Sequence, residues 1–269
     1  MDGDAVNGRI APLTRVQMND CLSALRASFG DADVINQREN RIVIRCKRAE
    51  TGDSIIIKMW SRTDVNGGLR RLLRIAACNH EWRNLVRLNN LGINVPLPLG
   101  ISQVKPGIAG YTDALFMEDL GVCVSASEYL KKLVQTGQER QAVNFEDVQI
   151  EMTAKMLDAG MLDVDHGLHN IVVQSSGRPV KLDVELGRRV IWPGLFPSMY
   201  GDMLGRMIGM HAFAVQPGVE RTTRFAERLS GRVKPLDRAL RRAGVHARDM
   251  MRKQFEETGI DTRLILPWD

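Results

Sequence analysis

The chain has 269 residues, 44% hydrophobic and 26% charged, with 37 Lys and Arg against 32 Asp and Glu for a formal net charge of +5. That length suits one two-lobed domain or two small ones, and the composition is that of an ordinary globular protein. No apolar run approaches the roughly eighteen residues of a membrane-spanning helix, so none is expected. The opening Met-Asp-Gly-Asp-Ala-Val-Asn-Gly has neither a basic stretch nor an apolar core, so no signal peptide is expected. Cys21, Cys46, Cys78 and Cys123 are scattered without a CxxC or a His partner. They read as free thiols of a reducing compartment, and a cytoplasmic location is expected.

Residues 1–12 read as a flexible leader. Val16, Met18, Cys21, Leu22 and Leu25 recur at helical spacing and predict an amphipathic helix over 14–29. Strand-like segments follow at 32–36, 41–47 and 54–60, joined by connections of hairpin length at 37–40 and 49–53. This antiparallel meander carries Lys58 near its end, where a cation is costly unless it meets an anion. A helix is expected over 75–91, with Leu85, Leu88 and Leu91 on its apolar face and Gly92 as its cap. Glu81 lies one turn before Leu85, on the edge facing the sheet. Taken singly, Lys58 and Glu81 read as a solvated pair on a strand end and a helix surface. Residues 93–100 should be extended, because Pro96 and Pro98 push their predecessors out of helix. A strand is expected over 114–117, then Glu118-Asp-Leu-Gly121. Helices are expected over 125–135 and 145–159, the second closed by Gly160.

Residues 161–187 carry the densest chemistry. Ile171–Val173 and Pro179–Leu182 flank the turn 174–178 and predict a small hairpin. Asp165 and Asn170 precede it and Asp183 follows it. A tight hairpin returns its ends to one place, so two carboxylates and an amide should converge. Those oxygen ligands suit a hard cation such as Mg²⁺. The plainer alternative is a surface hairpin with acidic edges.

The order Asp165-x-x-x-x-Asn170, hairpin, Asp183-Val-Glu resembles the catalytic core of the protein-kinase-like superfamily. Lys58, Glu81 and a hinge-like 115–121 stand upstream in the same order, so the resemblance covers about residues 33–215. It implies an α+β, two-lobed fold with an antiparallel N-lobe sheet and a mainly helical C-lobe. Residues 1–117 would form the leader helix and N-lobe, and 118–269 the hinge and C-lobe. It also implies ATP as phosphate donor and Mg²⁺ as cofactor. Lys58, held by Glu81, would take the α/β-phosphates. The Glu118 carbonyl and Leu120 amide would face the adenine edge, with Met117 behind it. Asn170 and Asp183 would hold the metal, and Asp165 would orient the acceptor hydroxyl and take its proton. His166 and His169 are candidate acceptor contacts; their spacing, without a third ligand, argues against zinc. Asp202 would accept backbone amides of the catalytic loop, or would simply sit at a helix N-terminus favoured by the dipole. Two departures stand out. Asp163-Val164 replaces the His-Arg of protein kinases. No Gly-rich turn precedes Lys58; residues 37–41 stand there, with Arg38 or Arg41 as candidate phosphate contacts.

Only residues 184–197 separate Asp183 from the next expected helix, 198–214, and no Ala-Pro-Glu occurs, which argues against a polypeptide acceptor. Glu81-Trp-Arg-Asn-Leu-Val-Arg-Leu-Asn-Asn-Leu-Gly-Ile-Asn-Val-Pro-Leu-Pro, Leu115-Phe-Met-Glu-Asp-Leu-Gly and Asp165-His-Gly-Leu-His-Asn170 resemble bacterial lipopolysaccharide-core kinases, the Kdo and heptose kinases. That resemblance implies transfer of the ATP γ-phosphate to a sugar hydroxyl of a lipid-linked or related small-molecule acceptor. Two alternatives are a pseudokinase-type binding or scaffold protein, favoured by the missing Gly-rich turn, and a compact atypical protein kinase. Residues 221–253 carry Arg221, Arg224, Arg228, Arg232, Lys234, Arg238, Arg241, Arg242, Arg248, Arg252 and Lys253 against Glu227, Asp237 and Asp249. With Arg62, Arg70, Arg71 and Arg74 they suggest an anionic membrane surface as partner, on the inner face of the cell membrane, or phosphorylated sugars, the plainer alternative being a solvated basic face. Nucleic acid is disfavoured, because aromatic residues are not interleaved with these cations.

Overall fold

The computed structural model describes residues 11–48, 51–61, 77–216, 219–255 and 264–269. The leader over 1–10, positions 49–50, the first residues of the expected 75–91 helix and the cluster Arg62, Arg70, Arg71 and Arg74 lie outside the described residues. The chain forms two compact units, residues 1–87 with 96–120, and residues 88–95 with 121–269.

The first unit opens with helix α1 (Arg15–Ala27). Thr14 caps it: its hydroxyl accepts from the Gln17 amide while the Gln17 side chain accepts from the Thr14 amide, a reciprocal capping box. Five antiparallel strands follow, β1 (Asp33–Arg38), β2 (Arg41–Lys47), β3 (Ser54–Ser61), β4 (Pro98–Ile108) and β5 (Tyr111–Glu118), in the spatial order β1-β2-β3-β5-β4. Alternation along the strands makes the core. Ile42, Ile44, Ile55, Ile57 and Met59 are buried in one cluster with Cys21, Leu22 and Leu25 of α1. Lys58, between Ile57 and Met59, projects to the other face. Strand β1 runs two residues beyond its expected end, so Arg38 pairs with Arg41 and only Glu39-Asn40 turn the chain. All of β1 is exposed, so no hydrophobic pattern marks where it stops. The expected extended segment 93–100 leads into β4, a strand not anticipated. Its polar residues and a register shift between Gln103 and Ile108 hide the period. Ala109 and Gly110, both at positive φ, turn β4 into β5, as a two-residue hairpin matching strand twist requires. Helix α2 (Ala77–Asn90) supplies Glu81.

The second unit is mainly helical. Ser125 caps α3 (Ala126–Gln135) in a capping box with Glu128. Helix α4 (Glu139–Asp158) begins six residues before its expected start, because its first turn is polar and breaks no period. Gly160, at φ 68°, ends the turn after α4; a Cβ there would strike the Val190 carbonyl. Strand β6 (Cys123–Ser125) pairs with β8 (Ile171–Gln174), which pairs with β9 (Pro179–Lys181); β7 (Met161–Leu162) pairs with β10 (Arg188–Arg189). Helices α5 (Pro197–Ala214), α6 (Val219–Val233) and α7 (Asp237–Phe255) complete it. Gly201 and Gly205 of α5 face Ala239 and Ala243 of α7. A Cβ at Gly201 would lie 2.7 Å from the Ala239 carbonyl, and one at Gly205 2.6 Å from that of Ala243. Small residues on both helices allow this close approach. All four cysteines are free. Among the described residues no helix is long and apolar enough to cross a membrane.

Candidate functional site

In the first unit, Lys58 Nζ donates to Glu81 Oε2 at 2.6 Å, and the two side chains are 5% and 2% exposed. The solvated-pair alternative is therefore excluded: both charges are withdrawn from water and each needs the other. The Lys58 ammonium also lies 5.2 Å from the centre of the Trp60 ring, two residues along the same strand face. At the end of β5 the Glu118 amide donates to Leu97 O (2.9 Å) and its carboxylate accepts from the Leu97 amide (3.1 Å). The Asp119 carboxylate accepts from Arg45 Nε at 2.7 Å. Both acidic side chains thus brace the sheet, leaving the backbone around Glu118 and Leu120 as the expected reader of a base. Arg38 and Arg41 flank the β1–β2 turn.

In the second unit the hairpin β8–β9 forms as expected, with Ile171 opposite Lys181. The Leu182 amide donates to Asn170 O at 2.8 Å, which brings Asp183 beside Asn170. Asn170 Nδ2 donates to both Asp165 O (3.0 Å) and Asp165 Oδ2 (2.9 Å). These two hydrogen bonds fix the amide so that, among the described residues, Asn170 Oδ1 has no protein donor. Asp183 sits at φ 47°, a left-handed conformation that a non-glycine residue holds only where its surroundings impose it. Its carboxylate and that of Glu185 lie within 4.8 Å of each other. Oxygen donors of this kind, carboxylate and amide, fit a hard divalent cation.

Asp165 is held from several directions. Its Oδ1 lies 3.3 Å from His169 Nε2 and 3.3 Å from Arg206 Nη1. The hydrogen bond to His169, joined by those from Asn170 and the charge of Arg206, outweighs burial and brings its pKa down to about 2. The Asp165 amide donates to Asp163 Oδ1 at 3.0 Å. Asp163, at the position of the protein-kinase His, is fully buried against fully buried Lys181. Their Nζ and Oδ2 stand 3.0 Å apart, off the hydrogen-bonding direction, so the contact is ionic. Lys181 Nζ donates to Leu182 O instead. An ion pair thus replaces a histidine beneath the loop and ties its start to β9.

Two expectations are corrected. His166 cannot reach an acceptor: it is wholly buried, with Nε2 2.9 Å from Thr153 Oγ1, and burial holds its pKa well below the usual 6.5. Asp202 does not cap the loop; its Oδ1 accepts from Arg242 Nε at 2.6 Å. Arg206, one turn on, reaches the loop, with Nε donating to Val164 O at 3.1 Å. Sequence reasoning passed over Arg206 and Lys181, and noted Asp163 only as a departure from the protein-kinase pattern. Each is a charge inside an apolar run, the signal that had marked Lys58.

A five-stranded antiparallel sheet with a buried Lys–Glu pair, and a helical unit with an Asp–Asn loop and a hairpin ending in Asp, define a kinase-like protein. Comparison with known proteins narrows the class. The model of the lipopolysaccharide kinase (Kdo/WaaP) family matches residues 31–191, more than half of the chain. The chain belongs to that family, whose members are kinases acting on sugar hydroxyls, and it is a lipopolysaccharide-core kinase. The solved structure "WaaP in complex with acyl carrier protein" has the same fold, with a TM-score of 0.58 and 17% identity over 92% of this chain and 98% of that one. No curated protein matches by sequence.

Proposed function

We propose that this kinase transfers the γ-phosphate of ATP to a sugar hydroxyl of a lipid-linked acceptor at the inner face of the cell membrane. The buried Lys58–Glu81 pair is the observation that carries this reading. A buried cation aligned by one carboxylate is suited to an anion such as the α/β-phosphates, and little else in a sheet explains its cost. The Glu118 carbonyl and Leu120 amide read the adenine edge. Asn170, through Oδ1, and Asp183 hold Mg²⁺, which when bound neutralises charge on the phosphates.

Phosphoryl transfer asks mainly for positioning and charge neutralisation. With a pKa near 2, Asp165 stays ionised and is a weak base before reaction. Its work is therefore to align the acceptor hydroxyl and take its proton late, as the oxygen's acidity rises. Arg206 and Asn170 keep its carboxylate aimed, and His169, exposed beside it, is the acceptor contact that remains. An acyl carrier protein, the companion of WaaP in the structure compared, is the protein partner to test first.

The test is phosphate transfer from ATP by the purified protein to lipid-A-type core sugars, aminoglycosides and generic protein substrates. Transfer confined to core sugars is expected. Transfer to polypeptide alone would overturn the acceptor class. Calorimetry should find that Asp183→Ala loses metal-dependent nucleotide binding while remaining folded; unchanged Mg·ATP affinity would remove Asp183 from the metal site.

A further inference from the structure

We infer that the loop between β10 and α5, with the start of α7, is a bilayer-docking tip for anionic lipid. Ile191, Trp192, Leu195 and Phe196 stand in one short loop, and Ile191 and Leu195 are 103% and 64% exposed. The loop is built, not loose. The Val190 amide donates to Gly160 O at 2.7 Å, and the amides of Leu195 and Phe196 donate back to Trp192 O and Pro193 O. Leu236, half exposed at the start of α7, joins it: a Cβ on Gly194 would lie 3.3 Å from both Leu236 Cδ1 and the Trp192 ring. Two aromatic and three aliphatic side chains thus share a rigid, water-exposed tip, which water disfavours unless something covers it.

Charge complementarity identifies the cover. Most arginines of 221–253 are already used. Arg221 and Arg228 meet Glu146, Arg232 meets Glu151, Arg242 meets Asp202, and Arg248 meets Asp269. By contrast Arg188 and Arg189, just before the loop, and Lys234 and Arg238, either side of Leu236, are exposed and have no ion-pair partner among the described residues. Asp237 is the single carboxylate within 188–196 and 234–238. An apolar tip carrying Trp, flanked along the chain by unneutralised cations, is the chemistry of an element seated at the boundary of acyl chains and anionic headgroups. This relocates the membrane contact from the whole basic segment 221–253 to one tip. It complements the lipid-linked acceptor of the proposed function but is tested without nucleotide, so either reading fails alone.

The test uses the full-length protein with phosphatidylcholine vesicles, with and without phosphatidylglycerol, read by co-flotation and tryptophan emission. Binding is expected only with the anionic lipid, with a blue shift that Trp192→Phe removes. Ile191→Ser/Trp192→Ser and, separately, Lys234→Gln/Arg238→Gln should each weaken binding at least tenfold. Arg232→Gln/Arg242→Gln, whose charges are already paired, should change it less than about threefold, well under the roughly thirtyfold that two unpaired cations are worth at a leaflet. Melting curves identify any misfolded variant, and for that one Leu195→Ser replaces it. Equal binding to neutral and anionic vesicles would overturn the inference, as would undiminished binding by the tip variants. So would absence of vesicle binding alongside tip-dependent binding of an acidic protein such as an acyl carrier protein.

Discussion

Lys58 and Glu81 illustrate how one buried contact serves two ends. Removing either partner strands the other's charge away from water, which costs about 3–5 kcal/mol. Lys58→Met and Glu81→Leu should each lower the unfolding free energy by that amount and the denaturation midpoint with it, whereas the double variant should recover part of it and still fail to transfer phosphate. A recovered midpoint with normal transfer would make the pair purely structural. At Asp165 the separation runs the other way. Asp165→Asn is isosteric and leaves Lys58, Asn170 and Asp183 untouched. Nucleotide affinity and melting temperature should hold while transfer falls by roughly 10²–10⁴. Lost affinity and stability together would mean that Asp165 only braces the loop.

At the scale of elements, the α5–α7 contact depends on absent side chains. A Cβ at Gly201 or Gly205 meets main-chain carbonyls, which cannot rotate away. Gly201→Ala and Gly205→Ala should therefore destabilise by about 1–3 kcal/mol in urea titrations. Gly231, inside α6, has nothing within 4 Å of its absent Cβ and no positive φ. Gly231→Ala should stabilise by roughly 0.5–1 kcal/mol, since alanine loses less freedom in a helix. The opposite sign at either site would remove the packing argument. Helices α4, α5 and α6 are joined differently, by polar groups around Glu146, which is 1% exposed. His211 Nε2 lies 3.1 Å from its Oε1, Arg221 Nε donates to the same oxygen at 2.5 Å, and Arg228 meets Oε2.

That cluster, together with the buried His166, makes the molecule sensitive to acid. His211 Nδ1 lies 3.1 Å from Thr222 Oγ1, and its ring stacks on Phe225. Burial lowers its pKa below 6.5, the bond to Glu146 working the other way and Arg221 and Arg228 adding to the lowering. Burial alone would raise the Glu146 carboxyl, but His211 and Arg221 hold it below 4.5. Both groups bind a proton less readily in the folded chain, so the unfolded chain takes up more protons and acid favours unfolding. The contribution is complete above the unfolded values. It declines below pH 6.5 for His211 and again below 4.5 for Glu146. Melting temperature should thus be level near pH 8 and fall from about pH 6.5 downward, with the first step smaller in His211→Gln. A flat profile to pH 5 would dissociate the cluster from acid stability. The count of 37 Lys and Arg also overstates the cations a partner meets, since many arginines are paired internally. Salt dependence of an anionic contact should reflect the unpaired cations at that contact rather than the whole basic segment.

Much of the site was legible as linear pattern. Short-range rules place Lys58 on an apolar strand, Glu81 on the following helix, and Asp165, Asn170 and Asp183 around a hairpin, because strand period, turn chemistry and spacing are local properties. The same holds for α1 and α3, whose caps lie within a few residues of their apolar faces. Strand β4 stayed hidden because its pairing with β5 tolerates a bulge and polar residues that no local period records. Long-range partnership was equally out of reach. That Asp163 meets Lys181, that Arg206 rather than Asp202 supports the Asp165–Asn170 loop, and that His166 is sealed from solvent depend on which helix packs where. So does the fate of the basic segment. Its charge is written in the sequence, but whether an arginine faces a carboxylate or water is decided only when α4, α5, α6 and α7 come together, because burial and pairing belong to the packed chain.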